Sequence, residues 1–147
     1  MAQETGRGKP RYMQLLRELV EAYQAFEAYS APHIKSWGLT PAQFDVLATL
    51  GNTEGMTFRE LGHRTLIYKT TLTSIVDRLQ EHGLVERHPS PRDRRSTIAA
   101  LTDKGDALFQ EVFPEHTEHL RKRLEQLPPD EMDEAIAALR RVRNVFQ

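Results

Sequence analysis

Three arginines, Arg92, Arg94 and Arg95, fall within His88-Pro89-Ser90-Pro91-Arg92-Asp93-Arg94-Arg95-Ser96, a stretch with almost no apolar side chain. A guanidinium is charged at every physiological pH and offers a planar fork of donors, so a cluster of them on a narrow loop suits phosphate or a base edge. A second polar set precedes it in Lys69, Thr70, Thr71, Thr73, Ser74 and Arg78. Small hydroxyls and cations at that density fit the donors and acceptors exposed in a DNA major groove. The two sets together imply one element for that groove and a thin cationic arm for the neighbouring backbone or minor groove, the parts of a winged helix-turn-helix reader.

Such side chains need a scaffold. From Pro10 to about Ser36, Leu16, Leu19, Tyr23 and Phe26 recur at helical spacing, with Leu15, Val20 and Tyr29 widening the stripe, which predicts one long first helix stopping near Gly38. A second helix opens with Thr40 at N-cap, Pro41 at N1, Gln43 at N3 and a Leu39–Phe44 staple. It should bury Phe44, Leu47 and Leu50 and end at Gly51. Thr57 and Glu60 repeat the capping box, with Met56 stapled to Leu61, for a third helix to about Thr65. Leu72, Ile75, Val76 and Leu79 define a fourth helix closed by Gly83, whose opposite face carries Lys69, Thr70, Thr73, Ser74 and Asp77. Leu84 to His88 and Thr97 to Leu101 read as strands flanking the arginine-rich tip. Thr102 caps a fifth helix running through Leu108, Val112, Leu120 and Leu124, which Pro114 should kink or break and Pro128-Pro129 should end. The sixth places Met132, Ile136, Leu139, Val142 and Phe146 on one side, with acids first and arginines last.

Composition narrows the functional classes. With 147 residues, 39% hydrophobic and 28% charged, the chain is of single-domain size. No apolar run is long enough to span a bilayer, and Met1 to Lys9 lacks the core of a secretory signal, so a cytoplasmic location without a membrane partner is expected. The net charge of -1 alone argues against a nucleic-acid binder, but its distribution is uneven. From Lys69 to Arg95 six bases face four acids, whereas from Glu111 to Glu134 eight acids face three bases. Without cysteine there is no disulfide, thiolate metal site or sulfenic-acid switch. A glycine-rich phosphate loop, a nucleophile elbow and an HExxH pair are all missing, so neither an enzyme nor a cofactor is expected.

The fold class is therefore mainly α with a small β-hairpin wing. A winged helix core at 39–101 is flanked by helical segments at 10–36 and 102–147, whose apolar stripes the small core cannot cover; the simplest cover is a second copy, giving a homodimer. Leu39-Thr40-Pro41-Ala42-Gln43-Phe44-Asp45-Val46-Leu47, then Arg78-Leu79-Gln80-Glu81-His82-Gly83-Leu84-Val85-Glu86-Arg87, then Asp93-Arg94-Arg95-Ser96 leading to Leu101-Thr102-Asp103-Lys104-Gly105, resembles the MarR family of bacterial transcription regulators over nearly the whole chain. The resemblance implies a homodimer tied by its first and last helices, binding double-stranded DNA at a pseudopalindromic operator and acting as a repressor released by a small ligand. Arg95 matches the wing arginine that the family inserts into the minor groove, with Asp93 placed to orient its guanidinium, and Arg92 and Arg94 fall at phosphate-contact positions. An alternative for the same residues is a hairpin held by a local Asp93–Arg95 ion pair. Tyr68 stands where relatives place a good N-cap, so the fourth helix is expected to start later, capped by Thr70 or Thr71.

The family's ligand pocket lies between the dimer helices and the reading head. Here Tyr29, His33, Trp37, Phe44 and Tyr68 could line it, with Arg11 or Arg17 meeting a carboxylate of a small aromatic or phenolic effector, or the aromatics could simply be core. Two other classes compete. Glu115, His116 and His119, with His33 from another helix, could chelate zinc in a metal-responsive regulator of the same fold, or form an ordinary solvated face. A winged-helix module that binds protein would have little use for hydroxyls and arginines on both the fourth helix and the wing.

Overall fold

The computed structural model describes residues 8–65 and 69–147, with side chains at all of them except 69 and 70. Helix α1 (Arg11–Lys35) leads to α2 (Pro41–Leu50), strand β1 (Met56–Thr57), α3 (Phe58–Arg64) and α4 (Lys69–Glu81). The hairpin β2 (Val85–Pro89) and β3 (Thr97–Leu101) follows, then α5 (Asp103–Leu124) and α6 (Pro129–Val145). The strands form an antiparallel sheet in the order β1-β3-β2, with Met56 opposite Ala99 and Arg87 opposite the other edge of the same residue.

Local chemistry sets most of these boundaries. At α2 the capping box is complete: Gln43 N donates to Thr40 Oγ1 at 3.1 Å and Thr40 N donates to Gln43 Oε1 at 3.0 Å. At α3 only the half in which Glu60 N donates to Thr57 Oγ1 is formed, because Thr57 is also the last residue of β1, paired with Ile98. Helix α4 ends in a Schellman turn, where Gly83 at φ 72° lets Gly83 N reach Gln80 O and Leu84 N reach Leu79 O. Leu84 is thereby spent on the turn, and β2 starts one residue later than the sequence suggested.

Three further expectations are corrected. Helix α4 begins at Lys69, so Thr70 and Thr71 lie inside its first turn and do not cap it. Pro114 lies inside α5, so of the kink or break allowed for it the break does not occur, and the Thr117 hydroxyl donates back to the Phe113 and Pro114 carbonyls at 2.9 and 3.0 Å. Pro129 opens α6 as its first residue, where a missing N–H costs nothing, and α5 has already ended at Leu124.

The core lies where α2, α3, α4 and the sheet meet. Val46, Leu47, Leu50, Leu61, Val76, Leu79 and Val85 are fully enclosed, and Val112 carries α5 onto the same mass. Phe44 is only half-buried and turns toward α1 and α5. The first turn of α5 is pinned to the α4–β2 junction: Thr102 Oγ1 donates to Gly83 O at 2.6 Å and Thr102 N to Leu84 O at 3.1 Å. A Cβ at Gly105 would stand 1.9 Å from the Leu84 carbonyl oxygen, so this approach admits glycine alone. Outside the core the picture reverses. The first half of α1 exposes Tyr12, Leu15, Leu16, Val20 and Tyr23, and α6 has no buried residue while exposing Ile136, Leu139 and Phe146. No helix among the described residues is long and apolar enough to cross a membrane.

Candidate functional site

The face formed by α3, α4 and the wing gathers the polar residues that the sequence singled out. Helix α4 buries Leu72, Val76 and Leu79, which turns Thr71, Thr73, Ser74 and Arg78 outward. The backbones of Lys69 and Thr70 lie in the first turn of that helix. Ser74 Oγ donates to Thr71 O at 2.9 Å, and its acceptor lone pairs stay on the exposed face. Between this helix and the wing runs an open groove of about 550 Å³ bordered by Arg59, Thr73, Asp77, Arg87, Arg95 and Thr97. Arg59, exposed on the first turn of α3, is a cation the sequence reading passed over; only its place two residues after the Thr57 cap could have signalled it.

The wing is built so that its backbone is satisfied locally. Ser90 N donates to Ser96 O at 2.9 Å, Ser96 N to Asp93 O at 3.0 Å, and Arg92 N to Ser90 Oγ at 3.3 Å. The expected pairing of Asp93 with the Arg95 guanidinium is not formed. Asp93 Oδ1 instead accepts from Arg95 N at 3.0 Å, and Oδ2 from Ser96 Oγ at 3.3 Å. A short aspartate reaches the amide two residues on more easily than it reaches the end of a long neighbour, so the carboxylate shapes the turn. Arg92, Arg94 and Arg95 are all exposed and enter none of the ion pairs among the described residues. Three positive charges thus project from a hairpin whose turn is closed by its own hydrogen bonds.

Arg87 fixes the wing to α4. Its guanidinium pairs with Asp77, donates to Gln80 Oε1 at 3.0 Å and lies over the Phe58 ring at 5.2 Å. One side chain from β2 therefore holds α3 and α4 at a set angle to the hairpin.

The second cluster of chemistry lies on the other side of α2. Of the residues expected around a ligand, Tyr29, His33 and Trp37 on α1 and Phe44 on α2 do come together, and α5 adds His116 and His119. Tyr29 stacks on His119 at 4.1 Å, His119 on His33 at 3.9 Å, and His116 meets Phe44 edge-on at 4.8 Å. Arg123, unremarked in the sequence, sits over the outer face of Tyr29 at 4.9 Å. Arg11 and Arg17 do not join them. At 1.5 Å per residue they lie about 27 and 18 Å along α1 from Tyr29, and Arg17 pairs with Glu21 at 2.7 Å. Within one chain neither can meet a carboxylate among these rings. Tyr68 lies outside the described residues.

His116 is 2% exposed, with Ser30 Oγ 3.0 Å from Nε2 and His33 Nδ1 2.9 Å from its Nδ1. Burial, reinforced by His33 and His119, pushes its pKa down to about 4, and burial followed by His119 lowers that of His33. The rings are thus neutral at pH 7, sharing one proton across the 2.9 Å contact. They do not make a chelate. His33 and His119 are stacked within 8° of parallel, so their in-plane lone pairs run side by side and do not converge. Among the described residues no group of three histidines, aspartates or glutamates is placed to hold a metal.

A more enclosed cavity of about 360 Å³ opens beside this cluster between α1, α2 and α5, bounded by Phe26, Ile34, Phe44, Leu120 and the His116 ring.

Comparison with known proteins agrees with this geometry. Residues 37–96 match the profile of the family described as MarR. The chain is 31% identical over 130 residues to the HTH-type transcriptional regulator MhqR of Bacillus subtilis, covering 88% of this chain and 90% of that one. Its fold superimposes with a TM-score of 0.81 on Bordetella bronchiseptica BpsR, whose DNA binding is regulated by 6-hydroxynicotinic acid, at 27% identity over 92% of this chain and 97% of that one. A mutant MarR from Escherichia coli complexed with operator DNA matches with a TM-score of 0.79 and 26% identity over 89% of this chain and 94% of that one.

Proposed function

The chain belongs to the MarR family of transcription regulators, and from that premise we propose that two copies bind one operator duplex as a repressor whose affinity is set by a small effector. Helix α4 enters the major groove, with Lys69, Thr70, Thr71, Thr73 and Ser74 meeting bases and phosphates and Arg78 the backbone. Arg95 enters the minor groove, while Arg92 and Arg94 take phosphates and Asp93 holds the turn that presents them. The observation that carries this is the single open face on which Thr73 of α4, Arg59 of α3 and Arg95 of the wing border one groove. The operator complex of the E. coli relative supports the same reading.

The winged core at 39–101 is the reading head, and the segments 10–36 and 102–147 hold the two copies together. Their exposed leucines and aromatics are the surface that pairing covers, setting the recognition helices about 34 to 36 Å apart to meet successive major grooves. The effector binds in the cavity between α1, α2 and α5, where Phe44 links the reading head to the dimer helices; a ligand preferring one spacing of the heads shifts DNA affinity.

Fluorescence anisotropy with an operator fragment selected from random DNA tests the interface. Arg95→Ala should weaken binding about tenfold or more, corresponding to about 1–3 kcal/mol, and the wild-type affinity should fall steeply with salt. Unchanged affinity in that variant removes the wing from the mechanism, and salt-independent binding points to a protein partner instead.

A further inference from the structure

Helix α4 is held at its C-terminal end by groups from the start of α5. The turn at Gly83 satisfies the carbonyls of Leu79 and Gln80, and the carbonyls that follow have no partner inside the helix. Three of these are taken from outside it. His82 O accepts from Lys104 Nζ at 3.0 Å, Gly83 O from Thr102 Oγ1 at 2.6 Å and Leu84 O from Thr102 N at 3.1 Å. The Lys104 stem lies along the turn, its Cδ 3.9 Å from where a Cβ of residue 83 would stand. Its ammonium is thereby placed at the negative end of the α4 dipole. Further along α5, Phe109 packs on Gly51 so closely that a Cβ there would stand 2.3 Å from the ring, and Gln110 Nε2 donates to Asn52 Oδ1 at 3.2 Å. Beyond Pro114 the partners change: His116 contacts Ser30 and His33, and Tyr29 donates to the His119 carbonyl at 2.8 Å, so this half bonds to α1.

One helix therefore holds α4 at its first turns and α1 at its last. Helix α4 spans 13 residues, about 20 Å, so a change of angle at its Glu81 end is carried to the Lys69 end, which the operator reading sets against bases. We propose that Lys104 is a positioning residue for DNA recognition: by capping α4 from α5 it fixes the separation of the two recognition helices, and hence the half-site spacing that the dimer accepts. In this role it touches no DNA. The inference rests on the two-copy operator reading above and names the residue that sets its geometry. The group it caps is a backbone carbonyl, so the role requires a charged donor at the end of a long stem. Arginine meets that requirement and methionine does not.

The test is fluorescence anisotropy of the full chain on two fragments: the operator selected from random DNA, and the same operator with one base pair inserted between its half-sites. Wild type should prefer the selected spacing about tenfold, because the insertion rotates one major groove away from its helix. Lys104→Met, at an exposed position and with its fold verified by circular dichroism, should lose about fivefold on the selected operator and almost nothing on the inserted one. The spacing preference then shrinks while the salt slope stays as in wild type. Lys104→Arg should keep the wild-type preference. A loss equal on both fragments overturns the positioning role, and a salt slope shallower by about one identifies Lys104 as a phosphate contact instead. Unchanged affinities in Lys104→Met, or arginine behaving as methionine does, overturn the cap. Wild type that binds both fragments equally overturns the operator reading, and the inference with it.

Discussion

His116 should make the stability of this protein depend on pH in a way that one substitution removes. Its ring is 2% exposed and its pKa is pushed from 6.5 down to about 4 by burial first and by His33 and His119 second. A histidine depressed in the folded state withholds a proton that the unfolded chain accepts. Its contribution is therefore complete above pH 6.5, declines as pH falls, and is fully lost near pH 4. A displacement of that size corresponds to about 3 kcal/mol in total, of which about 2 kcal/mol falls between pH 7 and pH 5. The 2.9 Å contact between the Nδ1 atoms of His33 and His116 adds to the effect of burial, because it accommodates one proton and becomes donor against donor with two. His33 is also depressed, so it adds to the loss in the same direction. Glu115, which raises the His33 value, opposes it. Urea unfolding at fixed protein concentration, at pH 7 and pH 5, measures the loss in wild type and in His116→Gln, whose amide can still bond Ser30 and His33. The variant should lose about 2 kcal/mol less than the wild type over that interval. Equal losses in both, or an NMR titration placing His116 near 6.5, would refute the assignment of this dependence to the buried ring.

Three further outcomes follow from the contacts around the reading head and the dimer helices. Arg87→Ala removes the pair with Asp77, the bond to Gln80 and the contact with Phe58; the unfolding free energy should fall by about 1 kcal/mol and operator affinity should drop although the Arg87 guanidinium is engaged within the chain, whereas unchanged affinity would show the wing angle to be held otherwise. Gly105→Ala forces a methyl to 1.9 Å from the Leu84 oxygen, so the loss should be about 2–4 kcal/mol by chemical denaturation, and a loss under about 0.5 kcal/mol would contradict the close approach. Leu16→Glu with Leu139→Glu places charges on the exposed apolar faces of α1 and α6; sedimentation equilibrium should show a monomer that binds a two-half-site operator weakly, and a dimer surviving both changes would locate the interface elsewhere.

How far the sequence reached depended on whether the controlling interaction was local. The Thr40 box, the Gly83 turn and the Thr97–Leu101 strand are set by neighbours within a few positions, and they stand where periodicity and capping placed them. Strand β1 was not foreseen, because two residues carry no period and Met56–Thr57 is a strand only through its partners Ala99 and Ile98. Asp93 shows the opposite failure, since an ion pair was expected where a still more local bond to the Arg95 amide competes successfully.

For the second site, residue types were legible and their geometry was not. The i, i+3 spacing of His116 and His119 put them on one side of α5, and His33 was foreseen as a third member, yet only the angle between helices decides whether imidazoles chelate or stack, and here they stack within 8°. Likewise, Arg11 and Arg17 were assigned to a carboxylate because arginine suits one, while the rise of a helix carries them about 27 and 18 Å from Tyr29. The cavity follows the same logic. Phe26, Phe44 and Leu120 come from three different helices, and their shared border exists only because α1, α2 and α5 pack together. The shape of that cavity belongs to the packing of three helices, so it becomes readable once the packing is known and cannot be assigned from any one segment.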